Sequence, residues 1–318
     1  GDKTQFDPMI TAAWVKDSMS MHSGGVEYHL EIHGGEPFLV PISKLKAFSD
    51  EFLHLSNVSM CGNSNLVFKI TDEILSYIKV YFDSRIGTSW DHWIRFDNEK
   101  QLTLWKNNVR FLRSEGVSVH LKVSVSKQLI DMSPDWFLDQ MEAIGVNDVA
   151  LERITSGGNT EVNLNVFPCN EKQDNWYLEL YKAYKARSCS FAITTLDTIE
   201  QKLKTNTVKV DTNCRNCEQN IATINSNGTI GVCPNVATKQ NFATVNDSAE
   251  VFLKADGRID EIVKELDFSE ICVKCDVFDL CGGDCHRLPW QGYRCGGLKN
   301  TLRFLSGRSN FSNLIFKA

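Results

Sequence analysis

Eight of the eleven cysteines fall in the last third of the chain, at Cys214, Cys217, Cys233, Cys272, Cys275, Cys281, Cys285 and Cys295. Their order is C-x2-C, ten residues to Gly228, four more to Cys233, then C-x2-C-x5-C-x3-C and a separate Cys295. Thiolates are soft ligands, and four of them satisfy either a tetrahedral zinc or a cubane iron–sulfur cluster. Eight make two such sets, so the segment is expected to hold two metal centres. Disulfides fit less well. A chain of 318 residues, 42% of them hydrophobic, buries its own core without staples, and an odd cysteine count suits a reducing compartment. A zinc ribbon needs only the knuckles Cys214/Cys217 and Cys272/Cys275, which leaves four cysteines over, although two zinc ions would use all eight. Iron–sulfur is the leading reading and zinc the alternative.

A second candidate site is Gly34-Gly35-Glu36-Pro37. Adjacent glycines let the backbone approach a ligand closely, and exposed peptide groups with the Glu36 carboxylate suit a cationic amine. Taken alone, these four residues are equally well explained as a turn; their setting strengthens the functional reading. Residues 26–32 alternate apolar and polar side chains and run straight into the loop, so it ends a predicted strand.

Helix signals follow at 42–55, 72–82 and 100–115, the last stopped by Gly116. Residues 117–125 alternate as a strand. Ser133-Pro134 offers a cap and a first-turn proline for a helix to 144, ended by Gly145. A strand at 149–154 and a helix at 175–186 come next. Strands separated by helices of about a dozen residues indicate βαβ units and a parallel sheet, with ligands at the C-terminal strand ends. The pattern changes near 205–212, so the expected modules are residues 1–205 and 206–318. In the second, Asn225 to Gly228 is a hairpin-turn signal between 221–224 and 229–232 that would carry Cys217 and Cys233 toward each other.

A net charge of −6 gives nucleic-acid binding no electrostatic support. No apolar run approaches the roughly 20 residues of a membrane span, and no signal peptide is seen, so a cytoplasmic location is expected.

Strand, glycine loop and cysteine pattern together resemble radical S-adenosylmethionine (radical SAM) enzymes with a SPASM-type C-terminal extension. Members place Gly-Gly-Glu-Pro after the second barrel strand, where it contacts the amino group of S-adenosylmethionine. Their extension reads C-x(9–15)-G-x4-C, then C-x2-C-x5-C-x3-C, then a last cysteine, and every element is present here in order across essentially the whole chain. The resemblance implies an α/β fold: a partial (β/α)6 TIM-like barrel followed by a small cysteine-rich SPASM domain with a β-hairpin. It implies a first auxiliary [4Fe–4S] cluster on Cys214, Cys217, Cys233 and Cys285, and a second on Cys272, Cys275, Cys281 and Cys295. Gly34, Gly35, Glu36 and Pro37 would bind S-adenosylmethionine. Ser89 and Asp91, in a segment like the family's fourth strand, would lie near the ribose, and Arg95 would meet a carboxylate.

One departure matters. The family's C-x3-C-x2-C motif, which holds the catalytic cluster, is absent, and Cys61 and Cys169 read as small buried residues instead. The chain opens at Gly1 without an initiator Met, and the first strand and cluster loop are expected upstream of it. The alternative is a degenerate relative that serves as a non-catalytic iron–sulfur electron carrier or scaffold. With the catalytic cluster present, the resemblance implies a 5′-deoxyadenosyl radical that abstracts hydrogen from a peptide or protein side chain, making an oxidation or a crosslink. An external donor such as a flavodoxin or ferredoxin would supply electrons. Sulfatase-maturing relatives carry an acidic residue just after the counterpart of Cys233. This chain has Pro234-Asn235 there, which disfavours that subgroup.

Overall fold

The computed structural model describes residues 7–22, 24–91, 94–96, 98–155, 164–205 and 215–308. Helix α1 (Pro8–Ser20) opens where Asp7 accepts the amides of Met9 and Ile10 and Pro8 has no N–H to leave unpaired. Then come β1 (Tyr28–Ile32), a 3-10 turn (Pro37–Leu39), α2 (Ile42–Asp50), β2 (Val58–Gly62), α3 (Asp72–Tyr81), β3 (Arg85–Trp90), α4 (Glu99–Ser114) and β4 (Ser118–Val125). The alternation continues through α5 (Lys127–Ile130), α6 (Pro134–Ile144), β5 (Asp148–Arg153), α7 (Asn170–Ala186), β6 (Ala192–Ile193) and α8 (Thr194–Thr205). Local signals set many of these ends. Asn98 caps α4 through the amides of Lys100 and Gln101. Ser133 caps α6 through Trp136, and Gly145 stops that helix in the left-handed region at φ +79°.

Strands β1 and β2 are parallel, from Tyr28 opposite Val58 to Ile32 opposite Gly62. A parallel bridge from Asn63 to Gly87 carries the ladder on to β3, and a Cβ on Gly87 would displace the Asn63 side chain that lies against it. Hydrogen bonding orders the remaining strands β3-β4-β5-β6, with β5 and β6 parallel. Sequential neighbours joined through helices are the construction of a (β/α) barrel wall. In β4 the alternation is complete. Val119, Leu121, Val123 and Val125 are buried, while Ser118, His120, Lys122 and Ser124 on the opposite face are half-buried.

Next are α9 (Cys217–Asn220), β7 (Thr223–Ile224), β8 (Thr229–Gly231), β9 (Ala243–Thr244), α10 (Ala249–Lys254), α11 (Asp256–Leu266), α12 (Glu270–Val273), α13 (Phe278–Cys281) and α14 (Lys299–Leu305). The predicted hairpin is present. Thr223 pairs with Gly231 and Ile224 with Ile230, Gly228 turns at φ +83°, and β9 adds a third antiparallel strand.

Two compact units divide the chain. Among the described residues, one takes in those up to Trp90 and those of Ile94–Lys122 and Cys217–Val263; the other takes in Asp91, those of Val123–Asn216 and those from Lys264 to Arg308. The first joins the hairpin to the N-terminal residues for a clear reason. Trp14 of α1 packs with Ile230, Val232, Ala243, Ala249 and Phe252, meeting the Phe252 ring edge-on at 5.7 Å. Asp17 also accepts the Ala249 amide at 2.7 Å. In the second unit Trp176 packs edge-on against Phe137 at 5.6 Å and donates its indole N–H to Met132 O at 3.0 Å. No helix among the described residues is long and apolar enough to cross a membrane.

Candidate metal centre and ligand loop

The 34–37 loop leaves β1 through His33, whose imidazole turns back so that Nδ1 accepts the Gly34 amide at 2.6 Å. Burial pushes the His33 pKa down, which suits that neutral acceptor form. Gly34 sits at φ +128°, a conformation for glycine alone, and open space lies where a Cβ on Gly34 or Gly35 would point. Both glycines are exposed. Glu36 does the anchoring. Its Oε1 accepts Phe38 N at 3.2 Å and Ser64 Oγ at 2.9 Å, and its Oε2 accepts Asn65 N at 2.8 Å. The carboxylate therefore caps the turn after Pro37 and ties β1 to the loop after β2. A carboxylate takes about four hydrogen bonds, so Glu36 keeps acceptor capacity for a ligand. Burial pushes the Glu36 carboxyl up, opposed by these three donors. Ser64 and Asn65, unnoticed in the sequence, are its partners.

Beneath the loop, the polar face of the strands is linked. Glu31 of β1 accepts from Lys122 of β4 at 2.8 Å and from Asn63. Burial raises the Glu31 pKa, but the hydrogen bond and charge of Lys122 outweigh it and hold the carboxyl low. Cys61 lies 3.1 Å from His29 Nε2, and His29 Nδ1 lies 2.9 Å from Ser59 Oγ. Cys61 is thus a half-buried member of a polar face. Cys169, expected to be buried, is exposed at the cap of α7.

The other sequence-predicted contacts are scattered. Ser89 is half-buried on β3 and Arg95 is exposed. Asp91 is buried, with Oδ1 accepting Ser124 N at 3.2 Å.

Cys272, Cys275, Cys281 and Cys295 line one cavity of about 70 Å³ in the second unit, and Cys285, expected in the other set, lines it as well. Ser269 caps α12 by accepting the Cys272 amide at 3.2 Å, and Cys275 N bonds back to Cys272 O at 3.0 Å, which closes the C-x2-C turn. Cys281 ends α13. Gly282, Gly283 and Asp284 then take three successive left-handed conformations to reach Cys285. Cys295 arrives from a separate loop that α7 holds. Asn170 Nδ2 donates to Pro289 O at 2.8 Å and to Arg294 O at 3.0 Å, while Gln291 Nε2 donates to Pro168 O at 2.9 Å. Asp174, fully buried, accepts Asn300 N at 2.7 Å and Thr301 N at 3.1 Å and pairs with Arg294. Burial pushes the Asp174 carboxyl up, and those amides with Arg294 pull against it. Arg153, at the end of β5, pairs with Asp284 in the loop between Cys281 and Cys285.

Five thiols line this cavity, and any four of them would satisfy the donor set of a tetrahedral thiolate-bound metal or cubane cluster. Burial, with the Asp284 carboxylate, pushes the Cys281 thiol up; coordination reverses this, since a metal-bound thiol is deprotonated outright. For the first expected set, Cys217 begins α9 and Cys233 is buried beyond β8, its amide donating to Glu218 Oε2 at 3.3 Å. That contact brings the neighbours of the two cysteines together, as the hairpin predicts. Cys285 belongs to the other unit, and Cys214 lies outside the described residues.

No protein-family model matches the sequence, and comparison with curated proteins gives no match. Solved structures do match. Native anSMEcpe with bound AdoMet (S-adenosylmethionine) and Cp18Cys peptide aligns with a TM-score of 0.73 at 12% identity, over 95% of this chain and 88% of that one. Native anSMEcpe with bound AdoMet gives 0.72 at 13% identity, over 95% and 87%. Its complex with AdoMet and Kp18Cys peptide gives 0.71 at 12%, over 95% and 88%. Those structures carry the radical SAM–SPASM fold. This chain has the radical SAM–SPASM fold. At such identity the likeness is one of fold, and side-chain roles rest on the geometry above. Within the radical SAM–SPASM fold, α7 and the end of β5 supply the anchors that sequence reading missed: Asn170, Asp174 and Arg153. The available signal was polar or charged residues interrupting otherwise aromatic or apolar elements.

Proposed function

We propose that this chain serves a radical SAM oxidoreductase that acts on a peptide or protein side chain. The observation that supports this most is the match over 95% of the chain to a fold whose solved examples hold AdoMet and peptide. Cofactors supply the hard chemistry: AdoMet, cleaved reductively at a [4Fe–4S] cluster, provides a 5′-deoxyadenosyl radical that takes a substrate hydrogen. The chain's own residues bind and orient. Backbone carbonyls of Gly34 and Gly35 accept the ammonium of AdoMet, and Glu36 fixes their direction. Ser89 and Asp91 serve the ribose, and the exposed Arg95 serves a carboxylate. Cys214, Cys217, Cys233 and Cys285 hold one auxiliary cluster, and Cys272, Cys275, Cys281 and Cys295 hold the other. Electrons come from a flavodoxin- or ferredoxin-like donor, in a cytoplasmic setting that keeps thiols reduced.

The reading requires a C-x3-C-x2-C segment, which the 318 residues do not contain, so activity is to be tested on the complete reading frame. Pro234-Asn235 still departs from the sulfatase-maturing pattern, so the substrate class is kept at peptide or protein side chain. Anaerobic purification followed by metal and sulfide analysis should give about eight iron and eight sulfide for the two auxiliary sites. Dithionite and AdoMet should then release 5′-deoxyadenosine from the complete protein. Zinc without sulfide would instead identify a zinc-stabilised binding module. Clusters without AdoMet cleavage would identify an electron carrier or scaffold.

A further inference from the structure

The loop between Cys281 and Cys285 carries an anion where a cluster ligand loop needs none. Asp284 is 4% exposed and lines the cavity with Cys272, Cys275, Cys281, Cys285 and Cys295; Arg153 does not line it. A Cβ built on Gly297 would lie 3.4 Å from Asp284 Oδ2, 3.5 Å from Cys295 Sγ and 3.7 Å from Cys281 Sγ. End to end, those distances place Oδ2 within about 7 Å of both sulfurs, a range at which poorly solvated charges interact strongly. Behind the carboxylate stands the Arg153 guanidinium. It grips both carboxylate oxygens, with Nη2 to Oδ1 at 2.7 Å, and Nη1 also donates to Gly296 O at 3.1 Å. The pair thus sets opposite charges side by side near the sulfurs.

We propose that Asp284 lowers and Arg153 raises the reduction potential of the cluster held by Cys272, Cys275, Cys281 and Cys295, each largely offsetting the other. This rests on the iron–sulfur reading of that cavity. Reduction adds one electron to a centre already made negative by four thiolates, so nearby net charge shifts its potential directly. An unpaired carboxylate would resist the added electron. Arg153 cancels most of that effect, and removing either partner exposes the charge of the other. The segment has a second support that does not use the Asp284 side chain: Arg215 Nε donates to Gly283 O at 3.3 Å and to Asp284 O at 3.0 Å. Asp284→Asn is therefore expected to keep the loop in place.

The test is an anaerobic redox titration of the cluster-loaded chain followed by electron paramagnetic resonance, in wild type, Asp284→Asn, Arg153→Gln, Arg153→Lys and the Arg153→Gln/Asp284→Asn double variant. At a fixed potential, Asp284→Asn should raise the reduced-to-oxidised ratio of one cluster about tenfold, equal to about 59 mV for a one-electron couple. Arg153→Gln should lower it by a similar factor, Arg153→Lys should recover most of the loss, and the double variant should return near wild type. Shifts of opposite sign that cancel in the double variant are not produced by a purely structural role. Ratios within twofold of wild type in Asp284→Asn, or shifts of the same sign in both single variants, overturn the proposal. If Arg153→Gln loses iron, Asp284→Asn and Arg153→Lys decide alone. Metal analysis of wild type separates the two readings: zinc without sulfide defeats the cluster assignment itself, whereas intact clusters indifferent to Asp284→Asn defeat only the tuning role.

Discussion

The cysteine cavity and the glycine loop solve opposite problems. The cavity collects side chains from three segments, at 272–275, 281–285 and 295, and each is held by polar anchors: the exposed cap Ser269 for the first, Arg153 and Asp284 beside the second, buried Asn170 and Asp174 for the third. The loop presents backbone from one segment, and a single half-buried carboxylate, Glu36, fixes it. Bringing distant thiols together costs chain entropy that buried ion pairs and hydrogen bonds must offset. Presenting adjacent peptide groups requires mainly a permitted backbone conformation, which Gly34 supplies.

This contrast is broken most directly at Asp174. Asp174→Ala leaves Arg294 without its carboxylate and the amides of Asn300 and Thr301 without acceptors, and should cost about 3–5 kcal/mol. Denaturant unfolding would measure the loss. Iron per chain should fall toward one cluster while AdoMet binding to the reconstituted complete protein survives; equal loss of both would show that the two regions are not independent. Glu36→Ala should do the reverse at a smaller scale, with about 1–3 kcal/mol of stability lost and AdoMet affinity reduced at least about tenfold by calorimetry, but iron content unchanged.

Glu36 also has a pH signature. Its folded pKa is raised above the ordinary 4.5, so the folded state keeps the proton longer than the unfolded chain. The resulting stability is full below about pH 4.5 and is lost as pH rises through the folded value. Melting temperatures of wild type should therefore fall relative to Glu36→Gln in that window, and parallel profiles would contradict the burial that explains the shift. The smallest effect concerns thiols outside both sites. Burial, with Glu31, pushes Cys61 up to about 11. At pH 8 it should alkylate on the order of 100-fold more slowly than an ordinary free thiol, and later than exposed Cys169, as peptide mapping by mass spectrometry would show.

Much of the architecture was readable because its causes are local. Ser133, Pro134 and Gly145 bound α6, Gly116 follows α4 at φ +80°, and Gly228 turns the hairpin, each through the conformation of a few residues. Other elements gave no such signal. The apolar positions of α1 are spread around the helix because it meets both α2 and α10. The Ser59 and Cys61 positions of β2 weaken its apolar pattern because that face carries a polar network. Helix α7 begins at Asn170 rather than at 175 because Asn170, Gln173 and Asp174 resemble surface residues yet are buried as anchors.

By itself the sequence determined the candidate ligands: eight cysteines at fixed spacings, a Gly-Gly-Glu-Pro loop after a strand, and alternating helices and strands to carry them. Tertiary structure alone decided what holds those ligands in place. Arg153 meets Asp284, and Asp174 meets Arg294 and Thr301, across 131, 120 and 127 residues of chain. Spacing rules act over a few residues, where backbone geometry couples neighbours. A buried charge finds its partner only after the chain has folded, because burial makes an unpaired charge too costly to leave.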